Sequence, residues 1–202
     1  MKILPALALA ALAHPAVADG DRHLGAHEHG TGTLTIAADG PTITLDLSAP
    51  GADITGFEYP AATAEDRAAV DAALATLSRP EEIFAFPDAG GCRVDEARAT
   101  LVSEGGEEDD HEEDHDGDHD AEDHDESGHA HHEAGSGHSE FRAEYSLTCA
   151  DPDAVTGIAF GYFEAFANAR ELHVQVVSPR GAAAFEAGRT APELDLGDLL
   201  RP

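Results

Sequence analysis

Basic residues are scarce in this chain, and their scarcity excludes several kinds of partner. The 202 residues contain 11 Lys or Arg against 41 Asp or Glu, which gives a formal net charge of −30 at pH 7. Lys2 is the one lysine, and tryptophan is absent. A surface this acidic repels nucleic acid and anionic lipid, so neither is an expected partner. The composition favours the accumulation of cations instead.

Long hydrophobic runs are missing beyond the first residues. Lys2 precedes an apolar run over residues 3–12, and Ala16-Val17-Ala18 has the small-x-small pattern of a cleavage site. The run is too short to span a bilayer, and the pattern is typical of a secretory signal peptide. We therefore predict a signal peptide at residues 1–18, cleavage near Ala18 and export to the periplasm. Residues 19–202 fit a single domain with no membrane span.

Cysteine occurs only twice, at Cys92 and Cys149. In an exported protein an even number of cysteines predicts a disulfide, here between these two residues. The alternative is a pair of thiolate metal ligands. That alternative requires a reducing compartment or a bound metal that prevents oxidation.

Alternating apolar and polar residues predict antiparallel strands around one amphipathic helix. Residues 33–47 alternate on both sides of Asp39-Gly40, which is typical of a β-hairpin. Residues 63–77 begin with an N-capping pattern and continue with apolar positions at helical spacing. Residues 92–102 and 141–149 alternate as further strands. The predicted fold is α+β, with mainly antiparallel strands, one amphipathic helix and a long disordered loop rich in His, Asp and Glu.

If the last two strands pair with Cys92 opposite Cys149, their register follows. Val94 then faces Leu147, and Leu101 faces Glu140. The loop grows from the end of this ribbon opposite the disulfide, where a long insertion costs little stability. The C-terminal residues, from position 189 onwards, are expected to pack loosely.

The loop itself, residues 104–140, is named here the His/Asp/Glu tract. It holds eight of the thirteen histidines and seventeen Asp or Glu, with no Lys or Arg. A segment this polar cannot offset the entropy of folding with its own core. Imidazole and carboxylate are ligands of borderline divalent cations, whereas calcium and magnesium prefer oxygen alone. The predicted ligands in the tract are His111, His115, His119, His124, His129, His131, His132 and His138.

One stretch of the tract imitates an enzyme motif. His111-Glu112-Glu113-Asp114-His115 matches the H-E-x-x-H pattern of zinc metalloproteases. That motif requires apolar neighbours on a buried helix, and here the neighbours are acidic. We therefore predict no catalytic role.

Histidines outside the tract lie mainly near the N-terminus. His27-Glu28-His29 would place two imidazoles on one side of an extended strand, so both are candidate ligands. His23 is a further candidate, because cleavage after Gly20 would leave it third from a free amine, an arrangement that favours copper or nickel. His173 lies alone in a strand pattern and is expected to be an ordinary surface histidine.

The assembled motifs resemble the ZrgA-type periplasmic zinc-uptake proteins. The shared features are His27-Glu28-His29-Gly30, the run Ala52-Asp53-Ile54 leading to Gly56-Phe57-Glu58, and a tract flanked by cysteines. The resemblance implies a zinc-binding accessory of zinc import, with metal contact at His27, His29 and the tract histidines. It gives the Gly-Phe-Glu step no more than a structural role.

These observations together predict an exported zinc-binding protein that captures or buffers zinc in the periplasm and assists its uptake. Copper and nickel remain alternatives to zinc. The expected partners are zinc ions and either a periplasmic zinc-binding protein or an ABC-type zinc importer. The competing hypothesis is an acidic interaction module whose metal binding is incidental.

Overall fold

Two β-sheets form the framework of the computed structural model, which describes residues 29–103 and 138–201. In chain order the strands are β1 (Thr31–Asp39), β2 (Thr42–Pro50), β3 (Phe84–Ala85), β4 (Cys92–Ser103), β5 (Ser139–Cys149), β6 (Gly157–Phe160), β7 (Glu171–Ser178), β8 (Gly181–Gly188) and β9 (Glu193–Asp195). The large sheet has the order β4-β5-β2-β1-β7-β8, and the small one has the order β3-β6-β9. Every neighbouring pair is antiparallel except β1 and β7.

The helices are short apart from one. They are α1 (Gly51–Ile54), α2 (Ala64–Leu77), α3 (Pro80–Ile83) and α4 (Tyr162–Ala165). The helix predicted over residues 63–77 is confirmed as α2, and Thr63 forms the predicted cap. The Asp66 amide donates to Thr63 Oγ1 at 3.1 Å, and the Thr63 amide donates to Asp66 Oδ2 at 2.9 Å. These bonds satisfy amides that the first helical turn leaves without partners.

The core lies between one face of the large sheet and the helical segments. Alternation along β1 and β2 buries Leu34, Ile36, Ile43 and Leu45 completely or almost so, as the period of a strand requires. A cluster of aromatic rings around Tyr162 fills the space against this face. The other face of the large sheet carries polar and charged side chains and meets solvent.

The β4–β5 ribbon confirms the predicted pairing at one end and corrects it at the other. Cys92 pairs with Cys149 and Val94 with Leu147, as predicted. The prediction that Leu101 faces Glu140 is wrong, because a β-bulge at Asp95 shifts the register and Leu101 pairs with Phe141. Asp95 accepts hydrogen bonds from Thr148 and Arg93, which hold the extra residue in place.

Two further differences from the sequence prediction concern the ends of segments. The strand β5 begins at Ser139, so residues 139 and 140 of the expected loop belong to a strand and are buried. The C-terminal segment is not loosely packed, since Leu196 and Leu200 are buried. The α+β class with mainly antiparallel strands is confirmed. Within residues 29–103 and 138–201, no helix is long and apolar enough to cross a membrane.

Candidate metal centre

Three segments that are distant in the sequence meet at one end of the central strands of the large sheet. The start of β1, the end of β2 with α1, and the start of β5 lie there side by side. Antiparallel pairing causes this meeting, because the end of one strand lies beside the start of the next. The residues immediately outside these strands therefore share one small region.

His29 and His138 both lie near Glu58 at this end of the sheet. Oε2 of Glu58 lies 2.8 Å from Nδ1 of His138 and 3.6 Å from Nε2 of His29. Both imidazoles are more than half exposed, whereas the Glu58 side chain is only 13% exposed. The arrangement is a shielded carboxylate between two accessible imidazoles. Zinc binds imidazole nitrogen and carboxylate oxygen in this combination.

Two buried carboxylate oxygens in this region can accept a cation. Glu58 Oε1 and Asp53 Oδ2 are buried without a hydrogen-bond partner among the described residues. A buried carboxylate oxygen without a partner is costly unless a proton or a cation neutralises it. The donor types of this site match those of a divalent metal site. Among the described residues, the ligand atoms of His29, Glu58 and His138 do not all lie within 4.8 Å of one another, so the two exposed imidazoles must move towards Glu58 to share one ion.

Local bonds fix the loop that carries Glu58. The Thr55 hydroxyl donates to the carbonyl oxygens of Gly51 and Phe57 at 3.0 and 3.2 Å, which closes a tight turn after α1. Gly56 has a φ of 89°, a conformation that other residues rarely adopt. The ring of Phe57 then stacks on Tyr59 at 4.8 Å. The Gly-Phe-Glu step thus turns the chain so that Glu58 faces the histidines.

Asp53 holds the backbone next to His29. Its Oδ1 accepts a hydrogen bond from the Gly30 amide at 2.6 Å, and the residue is only 2% exposed. Burial raises the pKa of this carboxyl, and the Gly30 hydrogen bond and the charge of His29 oppose that rise. The Gly30 carbonyl accepts from the amides of Arg170 and Glu171, each at 2.9 Å. His29 is therefore attached to a fixed peptide at the start of β1.

A small cavity of about 180 Å³ adjoins His29 and is lined by Asp53, Asn168 and Arg170 among others. The loop that carries Asn168 is held by Arg189, whose guanidinium donates to four backbone carbonyl oxygens. These belong to Phe163, Phe166, Ala167 and Ala169. Asn168 in turn donates to the Ala52 carbonyl at 3.2 Å, which ties this loop to α1.

Of the predicted ligands, the structure places His29 and His138 near the same carboxylate oxygen of Glu58. The other predicted ligands lie outside the described residues and stay predictions: His23, His27, His111, His115, His119, His124, His129, His131 and His132. Sequence reasoning missed Glu58 and Asp53 as parts of the site. The sequence signal for them was the family resemblance, since Asp53 lies in Ala52-Asp53-Ile54 and Glu58 in Gly56-Phe57-Glu58.

The predicted disulfide between Cys92 and Cys149 is confirmed. It joins one end of the β4–β5 ribbon, and the pair Ser103 and Ser139 lies at the other end. The tract begins directly after Ser103, the last residue of β4, and its described end starts at His138, directly before β5. The covalent bridge and the candidate metal centre therefore occupy opposite ends of the same ribbon.

Comparison with known protein families places the chain in one family. A family model described as "ZrgA family zinc uptake protein" matches residues 26–196. The matched range includes His29, Glu58, His138 and both cysteines. No curated protein matches this chain.

Proposed function

Because the chain belongs to the ZrgA family of zinc uptake proteins, we propose that it captures zinc at a centre formed by His29, Glu58 and His138. The observation that carries this proposal is the shielded Glu58 carboxylate between two imidazoles, with one of its oxygens buried and without a partner among the described residues. We further propose that Asp53 positions His29 through the Gly30 amide.

In this proposal the His/Asp/Glu tract supplies many weak ligand groups for zinc, and the centre at Glu58 supplies the tight binding. His138 is the last histidine of the tract and also a member of the centre, so the tract is attached directly to the site. An acidic segment rich in histidine attracts dications and presents many ligand groups. A site held by fixed strands loses less entropy on binding and binds more tightly. Zinc collected by the tract is then passed to the centre.

Zinc is the proposed metal because the family is one of zinc uptake. The ligand chemistry alone also suits copper and nickel, which bind such groups at least as strongly. The proposed location is the periplasm, and the disulfide supports it because disulfides persist in oxidising compartments. The proposed role is binding rather than catalysis, with transfer of zinc to another periplasmic zinc-binding protein or to an ABC-type importer.

Competition between the protein and a zinc chelator tests the proposal. In the full chain, Glu58→Gln keeps the size of the side chain and removes its charge. We expect the tightest zinc-binding step to weaken by at least about tenfold. Glu193→Gln, at an exposed position of β9, is the matched control and leaves the affinity unchanged. Equal affinity in Glu58→Gln and the wild type would refute the centre.

The competing role as an acidic interaction module predicts a different result in cells. Deletion of residues 105–137 removes most of the acidic tract and leaves His29, Glu58 and His138. The zinc-capture proposal predicts poorer growth under zinc starvation, restored by added zinc. Unchanged growth under zinc starvation would favour the interaction module.

A further inference from the structure

A second group of ligand-type side chains lies on the solvent face of the large sheet. Glu171 and His173 alternate along β7, so both point to the same face, and Glu186 of β8 pairs directly with His173. Nε2 of His173 lies 2.9 Å from Oε1 of Glu171. One ligand atom from each of the three residues lies within 4.8 Å of the others.

The charges of this cluster are not balanced by the protein. Among the described side chains, no arginine forms an ion pair with Glu171 or Glu186. Two carboxylates that share one imidazole repel each other, and this repulsion is destabilising on a sheet surface. Protonation of His173 offsets only one of the two negative charges. A divalent cation would offset both and use all three donors.

We propose that Glu171, His173 and Glu186 form a second site for a borderline divalent cation such as zinc, separate from the centre at Glu58. One imidazole nitrogen and two carboxylate oxygens make three protein ligands, and water completes the shell. His173 and Glu186 also line a surface depression of about 480 Å³, which leaves room for these waters. The imidazole favours zinc, copper or nickel over magnesium and calcium.

The backbone connects this second site to the end of the sheet where His29 lies. The Gly30 carbonyl accepts from the Glu171 amide at 2.9 Å, and Thr31 pairs with Glu171 in the parallel β1–β7 register. Both sites therefore lie at the same end of the sheet. The second site has one imidazole where the centre at Glu58 has two, and its Glu171 side chain is 42% exposed whereas Glu58 is 13% exposed. It is the weaker and faster-exchanging of the two, as suits a point of entry for metal.

Chemical modification of His173 in the full chain tests this site with zinc as the probe. Diethyl pyrocarbonate modifies free imidazole, and mass spectrometry of the peptide that contains His173 measures the extent. We expect zinc to protect His173 in the wild type. In the variant with Glu171→Gln and Glu186→Gln, the zinc concentration for half protection rises at least about tenfold. Magnesium at the same concentrations gives no protection.

Two controls separate this site from other causes of protection. Glu193→Gln, on the smaller sheet, leaves the protection of His173 unchanged. Glu58→Gln also leaves the protection of His173 by zinc unchanged. The test of the second site therefore does not depend on whether the centre at Glu58 binds zinc. If zinc fails to protect His173, or protects it equally in the double variant, the second site does not exist. Equal protection would mean that zinc bound elsewhere shields the imidazole.

Discussion

The Nδ1 atom of His138 lies 2.8 Å from Oε2 of Glu58, although 80 residues separate the two in the sequence. Because both groups contact one ion in the proposed centre, removing either should remove most of the effect of the other. We expect Glu58→Gln and His138→Asn each to weaken the tightest zinc-binding step by about tenfold or more. The double variant should be little worse than either single one, as measured by chelator competition. Fully additive losses would contradict a shared ion.

Gly51 packs where a side chain would separate the parts of the centre. A Cβ atom there would overlap Ser139 Oγ and lie 2.7 Å from the Phe57 carbonyl oxygen. These neighbours directly adjoin His138 and Glu58. We expect Gly51→Ala to lower the free energy of unfolding by about 1–3 kcal/mol and to weaken zinc binding. Thermal denaturation and zinc titration check both effects.

Gly188→Ala is the matched control, since its added Cβ would meet only the Arg170 carbonyl oxygen at 3.5 Å. We expect this control to bind zinc as the wild type does. Wild-type zinc affinity in folded Gly51→Ala would show that the spacing between β5 and the Glu58 loop does not matter for binding.

The disulfide should stabilise the fold without tuning the metal centre. Cys92 and Cys149 are 57 residues apart in the sequence, and a bridge across such a loop stabilises a protein by about 4 kcal/mol through the entropy of the unfolded chain. We expect the variant with both cysteines changed to serine to lose stability of that order in denaturant unfolding. Its zinc affinity, measured where it is folded, should stay unchanged because the bridge lies at the far end of the ribbon. A large loss of affinity would contradict this placement.

The pair Asp46 and Glu144 predicts a pH-dependent stability. The two carboxylates face each other across β2 and β5, and partial desolvation, followed by the charge of Glu144, raises the pKa of Asp46. A carboxyl with a raised pKa in the folded state lowers the free energy of unfolding as the pH rises from its unfolded pKa of ~3.9 through the folded pKa. Asp46→Asn removes this loss.

We therefore expect Asp46→Asn to be more stable than the wild type at pH 7, with the difference shrinking towards about pH 3. Denaturant unfolding at several pH values measures this change. Asp71→Asn, at an exposed position of α2, is the control and should show no such trend. A stability difference that is constant with pH would contradict the assignment of the raised pKa to Asp46.

Local sequence patterns predicted the hairpin and the main helix. Contacts between distant segments determined the bulge in β4 and the parallel strand pairing. The hairpin around Asp39-Gly40 and the helix after Thr63 follow from periodicity and capping, which act within a few residues. The bulge at Asp95 depends on Thr148 of the neighbouring strand, so no local pattern indicates it. The parallel pairing of β1 with β7 likewise depends on how distant segments pack together.

The same distinction applies to the candidate centre. Histidines were recognisable as ligands because imidazole has few other uses in an acidic tract. Glu58 is one of 41 acidic residues, and nothing in its own side chain marks it. Its proposed role follows from the turn at Gly56 and from the strand pairing that places His138 beside it. Asp53 was overlooked for the same reason, since its partner is the Gly30 amide across 23 residues.

The most direct measurement is anomalous X-ray scattering at the zinc absorption edge from crystals of the full chain grown with zinc. The account predicts an anomalous peak between His29, Glu58 and His138, with nitrogen and oxygen ligands about 2.0–2.2 Å from the ion. A map with zinc peaks elsewhere and none beside Glu58 would contradict the central claim.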